Sequence, residues 1–178
     1  EAATKVGFFS VINHGIDQAL VDQAFEISAK FFEQSVEEKE LQSPGDMSVN
    51  SGFEYFSQVR PSTGVADQKE SLQITARQGC MDGRWPSPEF REMAEAFLQA
   101  ANQLAGRILH LLEPRATPQV PQPGTLAKSH TLWGDDGQCT LRFLHYPAMP
   151  PDVVGKLLED GYWRAGPHTD WDNVTLLF

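Results

Sequence analysis

The stretch RAGPHTD, residues 164–170, is the starting point for predicting the fold and the site of this chain. We expect this stretch to lead into a β-strand, in which side chains two residues apart point to the same face. His168 and Asp170 would then converge on one point, where an imidazole nitrogen and a carboxylate oxygen could hold a metal ion. The spacing alone is a weak signal, and a hydrogen-bonded His–Asp pair in a loop is the alternative.

Further strands are predicted on both sides of this stretch. The segment CTLRFLHY, residues 139–146, is rich in β-branched and aromatic side chains and is ended by Pro147. Residues 173–178 are apolar again. Earlier in the chain, apolar or aromatic runs predict strands at residues 6–13, 51–59 and 70–75.

Two long helices are predicted before the last strands. Asp17 can cap a helix that runs to about Leu41, and Ser87-Pro88 opens a second helix that Pro114 ends. Because helices come first and strands last, the order is not that of a βαβ fold. The pattern predicts an α+β or mainly β fold built around an antiparallel sheet or barrel.

Composition excludes several classes of partner. The chain has 178 residues, with a net charge of −10. Proteins bind nucleic acids and anionic membranes through clustered Lys and Arg side chains. The negative net charge therefore argues against both kinds of partner. The two cysteines, Cys80 and Cys139, lie far apart, which argues against a disulfide scaffold and favours a reducing, cytoplasmic setting.

Five short motifs occur together along the chain. They are GFFSVINHGI at residues 7–16, KES at 69–71, LRFLHYP at 141–147, RAGPHTD at 164–170 and TLLF at 175–178. In this order they resemble the isopenicillin N synthase-like family of iron(II)/2-oxoglutarate-dependent dioxygenases. The amino-acid sequences of the motifs at 141–147 and 164–170 are more similar to those of fungal and bacterial family members that act on small molecules than to those of plant members.

This resemblance implies a fold and a division of the chain. The family has a double-stranded β-helix, or jelly-roll, core with N-terminal flanking helices. Residues 1–130 would form the N-terminal helical and strand region of the non-haem dioxygenase N-terminal type. Residues 131–178 would begin the jelly-roll core that binds iron and 2-oxoglutarate, and we expect the chain to stop part-way through that core.

The resemblance also assigns residues to the cofactors. His168 and Asp170 match the first two iron ligands, and Tyr146 matches a tyrosine that contacts 2-oxoglutarate in relatives. The third ligand, a histidine, would lie beyond Phe178, as would the arginine that grips the far carboxylate of 2-oxoglutarate. The other histidines of the chain are not expected to be ligands.

Two further residues are candidates for substrate binding. Strand parity places Arg142 on the same face as Tyr146, where a polar group of a substrate could pair with it. An equally good alternative is that Arg142 pairs with an Asp or Glu side chain that has a purely structural role. Trp171 follows Asp170 and could stack on a planar substrate, with core packing as the alternative.

The expected function is oxidation of a C–H bond of a small molecule with iron(II), 2-oxoglutarate and dioxygen. Hydroxylation, desaturation or ring rearrangement are the possible outcomes, in secondary or nucleobase-type metabolism. The alternatives are a non-catalytic binding module of the same fold, an iron oxidase that works without 2-oxoglutarate, and a zinc hydrolase. The sequence does not indicate an oligomeric state.

Overall fold

The computed structural model describes residues 2–59, 61–116, 122–170 and 172–178. Its elements, in chain order, are α1 (Ala2–Lys5), α2 (Gln18–Phe32), α3 (Val36–Gln42), β1 (Gly52–Tyr55), β2 (Glu70–Thr75), α4 (Pro88–Leu112), a 3-10 turn (Glu113–Arg115), α5 (Thr125–Lys128), β3 (Thr140–His145) and α6 (Pro151–Glu159). Helical residues outnumber strand residues, so the described part of the chain is α+β rather than mainly β. Within it, no helix is both long and apolar enough to cross a bilayer.

The helix predicted from Asp17 to Leu41 is two helices. Asp17 caps α2 as expected, since its carboxylate accepts a hydrogen bond from the Ala19 N–H at 3.0 Å. Ser35 then starts α3, because its hydroxyl accepts from the Glu38 N–H while the Glu38 side chain accepts from the Ser35 N–H. This reciprocal capping box satisfies two backbone donors and restarts the helix, so the prediction of one continuous helix is wrong.

The prediction for α4 is confirmed at both ends. The Ser87 hydroxyl accepts a hydrogen bond from the Phe90 N–H at 3.0 Å, and Pro88 is the first helical residue. The helix ends at Leu112, just before the turn that contains Pro114. Its buried stripe, spaced three and four residues apart, packs against α2 and the sheet.

The three strands form one antiparallel sheet in the order β1-β2-β3. The predictions for 70–75 and 139–146 are confirmed as β2 and β3, and the strand predicted at 51–59 is shorter, as β1. In the middle strand, Leu72 and Ile74 are fully buried and face the helices. Phe143 of β3 meets Phe90 of α4 edge to face, with ring centroids 5.3 Å apart.

The opposite face of the sheet is polar. Gln73 and Thr75 are buried there, and both donate hydrogen bonds to the carbonyl oxygen of Asn50. Gln73 lies opposite Arg142 in the ladder, so Arg142 shares this polar face. His145 is on the other face, where its ring lies 5.3 Å from that of Phe32.

A buried ionic group joins α3 to the sheet. The Lys39 ammonium lies 2.6 Å from the Glu70 carboxylate, and both side chains are 3% exposed. The other carboxylate oxygen of Glu70 lies 2.6 Å from the His145 ring. The KES motif therefore contributes a carboxylate that ties together three elements.

Three of the strand predictions are wrong. Residues 6–13, 164–170 and 173–178 form no strand where the structure describes them, and Phe8 and Ile12 are 82% exposed. Positive φ angles at Gly7 and Asn13, of 84° and 54°, interrupt the first segment. An apolar segment becomes a strand only when a neighbour accepts its backbone hydrogen bonds, and no described strand lies beside these segments.

Candidate metal centre

His168 and Asp170 lie together in an exposed loop. The His168 Nε2 and the Asp170 Oδ1 are 3.3 Å apart, and the two side chains are 36% and 54% exposed. Residues around them are irregular rather than extended in a ladder. The spacing of two residues brings the two groups together without the strand from which we expected it.

A backbone hydrogen bond orients the His168 ring. Its Nδ1 lies 2.8 Å from the carbonyl oxygen of Gly166, and a carbonyl can only accept, so Nδ1 carries the hydrogen. In a neutral ring Nε2 then has a free lone pair that faces the Asp170 carboxylate. A metal ion placed between these two acceptor atoms could be bound by both of them.

The Asp170 carboxylate is held from its other side. Its Oδ2 accepts a hydrogen bond from the Thr175 hydroxyl at 2.8 Å. The same hydroxyl also lies 3.1 Å from Asp172, so its single hydrogen is shared between two carboxylates. This contact leaves Oδ1 of Asp170 directed toward His168.

These donors fit iron(II). One imidazole nitrogen and one carboxylate oxygen are two of the three ligands of the 2-His-1-carboxylate set. Two neighbouring ligand atoms, each about 2.1 Å from a first-row metal, lie about 3 Å apart, close to the separation seen here. Among the described residues no group of three His, Cys, Asp or Glu side chains forms a complete metal site.

The cysteines do not add to this ligand set. Cys80 is buried, and Cys139 is half-buried in the segment that leads into β3. Burial raises the pKa of the Cys139 thiol above its ordinary value, which disfavours the thiolate that would bind a metal. The first histidine of the chain, His14, accepts a hydrogen bond from the Ile16 N–H.

Tyr146 directly follows β3 and is partly exposed. The Arg164 guanidinium lies 5.4 Å from the centre of its ring and donates to the Pro147 carbonyl oxygen at 2.7 Å. Arg142 lies half-buried on β3. Trp171, the other predicted substrate residue, lies outside the described residues.

Sequence reasoning missed the residue that anchors this loop. Asp67 is buried, and its Oδ1 accepts a hydrogen bond from the Gly166 N–H at 2.8 Å. Its Oδ2 lies 2.8 Å from the Lys69 ammonium. The available signal was a cluster of charges, Asp67, Lys69 and Glu70, at the start of a segment that predicts a strand.

The described residues combine an antiparallel sheet flanked by helices with a His-x-Asp pair in a loop that follows the sheet. The family model described as "non-haem dioxygenase in morphine synthesis N-terminal" matches residues 1–94, more than half of the chain. The chain therefore belongs to the non-haem dioxygenase family, that is, to the isopenicillin N synthase-like iron(II)/2-oxoglutarate oxygenases. Iron(II), 2-oxoglutarate and dioxygen are the cofactors and co-substrates of that family.

One curated relative is a 2-oxoglutarate-dependent dioxygenase of the fungus Didymella fabae. It is 31% identical over 199 residues, which cover 99% of this chain and 56% of that protein. The chain thus spans about half the length of the curated relatives it matches.

Solved structures share the fold. A full-length Neurospora crassa protein in complex with alpha-KG, another name for 2-oxoglutarate, has a TM-score of 0.67 and 23% identity over 89% of this chain and 50% of that one. The complex of the same protein with alpha-KG and 5-formyluracil gives a TM-score of 0.64 and 25% identity, over 89% of this chain and 47% of that one. JOX2 in complex with 2OG, Fe and JA has a TM-score of 0.61 and 25% identity, over 81% of this chain and 42% of that one.

Proposed function

We propose that this chain is part of an iron(II)- and 2-oxoglutarate-dependent oxygenase that oxidises a C–H bond of a small molecule with dioxygen. The observation that carries the proposal is the 3.3 Å approach of His168 Nε2 to Asp170 Oδ1, in a family that uses this chemistry. Bound iron would supply the point at which 2-oxoglutarate and dioxygen react, with hydroxylation, desaturation or ring rearrangement of the substrate as outcomes.

His168 and Asp170 are the two iron ligands in this proposal. The bond from His168 Nδ1 to Gly166 keeps Nε2 free, and the bond from Thr175 turns Asp170 toward it. A second histidine, which we place beyond Phe178, completes the ligand set. We likewise propose the division at about residue 130 and a jelly-roll core that starts with residues 131–178.

Tyr146 and Arg142 have binding roles in this proposal. The Tyr146 hydroxyl contacts 2-oxoglutarate, and the Arg164 guanidinium over its ring favours one orientation of that ring. Arg142 lies on the polar face of the sheet, where it can pair with a polar group of the substrate. Trp171, next to Asp170 in the sequence, is our candidate for stacking on the substrate.

We infer that the substrate is a small molecule, planar or polyketide-like, in secondary or nucleobase-type metabolism. The Neurospora crassa protein binds 5-formyluracil and JOX2 binds JA, both small molecules. The net charge of −10 disfavours a nucleic-acid polymer. Two cysteines without a disulfide among the described residues agree with a cytoplasmic location.

The test uses the full-length protein loaded with iron(II) without oxygen. Addition of 2-oxoglutarate should produce the visible charge-transfer band of chelated iron, and oxygen should then release succinate. His168→Ala and Asp170→Ala should each lower iron affinity by at least about a hundredfold, since each removes a ligand.

Matched controls lie elsewhere in the chain. His110→Ala removes an exposed imidazole on α4, and Asp152→Ala removes an exposed carboxylate in the first turn of α6. Both should leave the band and succinate release unchanged. A folded protein that binds iron but forms no band with 2-oxoglutarate points to an oxidase without this co-substrate. One that binds no metal points to a binding module, and one that prefers zinc points to a hydrolase.

A further inference from the structure

The Asp67 carboxylate is the most deeply buried acidic group of the described residues. It is 1% exposed, and each of its two oxygens has a partner at 2.8 Å, the Lys69 ammonium and the Gly166 N–H. A carboxylate so far from water is costly unless it is paired and hydrogen-bonded. The contact to Gly166 spans 99 positions of sequence, so it is formed only by tertiary folding.

Gly166 is the anchor of the segment that carries the candidate ligands. Among the described residues that follow Tyr146, it is the single buried one. Its N–H is bound by Asp67, and its carbonyl oxygen accepts the hydrogen bond from His168 Nδ1 at 2.8 Å. One residue thus connects the buried carboxylate to the imidazole that faces Asp170.

The same loop is tied to residues 62–68 at two further points. The Gln68 N–H donates to the Trp163 carbonyl oxygen at 2.8 Å, and the Ser62 hydroxyl donates to that of Pro167. Neither bond contacts Gly166. Asp67 is therefore the side chain that holds the N–H of Gly166, the residue whose carbonyl oxygen orients the His168 ring.

We propose that Asp67 is a positioning residue of the metal centre, acting through the Gly166 N–H to fix the orientation and tautomer of His168. Lys69 neutralises Asp67 so that the carboxylate can stay buried. This inference rests on the proposed iron site. The effect that it describes comes from the hydrogen bond between Asp67 and Gly166, and not from the ligand atoms of His168 and Asp170.

The test removes the acceptor while net charge and the number of side-chain heavy atoms stay the same. In a Lys69→Met background, Asp67→Asn keeps a side-chain oxygen for the Gly166 N–H, whereas Asp67→Leu has as many side-chain heavy atoms and no acceptor. Iron(II) alone is titrated into the full-length variants without oxygen. The Leu variant should bind iron(II) about 10–100-fold more weakly than the Asn variant, as is typical for loss of a group that orients a ligand.

A second carboxylate provides the matched control. Asp46 also pairs with a cation, Arg84, at 2.7 Å and accepts a backbone hydrogen bond from Ser48 at 2.9 Å, away from the loop. In an Arg84→Met background, Asp46→Asn and Asp46→Leu should bind iron(II) equally. Equal affinity of the two Asp67 variants would overturn the inference while leaving the iron site intact. If the unmodified protein binds no metal, the proposed function has failed instead.

Two measurements on metal-free protein do not depend on iron. The Gly166 amide of the unmodified protein should exchange with deuterium at least about tenfold more slowly than that of Thr169. The nitrogen chemical shifts of His168 should report hydrogen on Nδ1 in the Asn variant and a tautomer mixture in the Leu variant. Free exchange at Gly166 would refute the inference even if the Leu variant did not fold.

Discussion

The helix-and-sheet body and the loop that carries the candidate ligands are held by different forces. In the body, all six residues of β2 are buried, and Leu72, Ile74 and Ala94 have no exposed surface. In the described part of residues 147–178, Gly166 alone is buried. Apolar burial stabilises the body, whereas polar bonds from residues 62–68 hold the backbone of residues 163–167. Global stability and ligand placement should therefore respond to different substitutions.

The largest effect is expected where the body buries charge. Lys39→Met leaves Glu70 as a buried carboxylate without its ammonium partner, so the free energy of unfolding should fall by about 3–5 kcal/mol. Urea denaturation measures it. Arg91→Met is the control, because the exposed pair of Arg91 with Glu95 should contribute at most about 0.5 kcal/mol. A loss below about 1 kcal/mol for Lys39→Met would contradict the buried pair.

A pair of leucines compares the two regions directly. Leu72→Ala opens a cavity in the centre of the sheet and should cost about 2–5 kcal/mol of unfolding free energy. Leu158→Ala, at a side chain of α6 that is 60% exposed, should stay within about 0.5 kcal/mol of the unmodified protein. Similar losses for both would mean that α6 is packed as tightly as β2.

Thr175 tests the loop with little effect on the body. Thr175→Val removes the hydroxyl that binds Asp170, so iron(II) affinity should fall about tenfold while the free energy of unfolding changes by less than about 0.5 kcal/mol. Thr175→Ser should restore affinity. Thr131→Val removes an equivalent hydroxyl bond to Asp136 elsewhere and serves as the control. Weaker iron binding by both valine variants would argue against a specific role for Thr175.

The smallest effect concerns acid stability at the end of α4. Hydrogen bonds from the backbone N–H groups of Gly124 and Leu126 hold the pKa of Glu113 below its ordinary value of 4.5. A lowered pKa means that this carboxylate adds stability above pH 4.5, and that the contribution is lost as the pH falls through the lowered pKa. The difference in stability between the unmodified protein and Glu113→Gln should therefore narrow below pH 4.5. A difference that is constant with pH would show that Glu113 is not ionised in these bonds.

Local patterns predicted much of the body. The cap at Ser87 and the proline after it gave the start of α4, and the apolar runs gave β2 and β3 within a residue or two. The same reasoning failed for residues 6–13, which have a strand-like composition but no neighbouring strand among the described residues. The composition of a segment shows how much apolar surface it could bury. Whether the segment forms a strand depends on a neighbouring strand with which its backbone can pair.

The candidate site also has some features that the sequence predicted and others that only the tertiary structure shows. The sequence by itself determined that His168 and Asp170 lie two residues apart, close enough to share a cation in a strand or in a loop. It also determined which family the motifs resemble. The tertiary structure alone decided that Asp67 meets Gly166 and that Glu70 joins Lys39 to His145. Caps and periodicities act within a few turns of chain, whereas a contact across 99 residues depends on how the whole body packs.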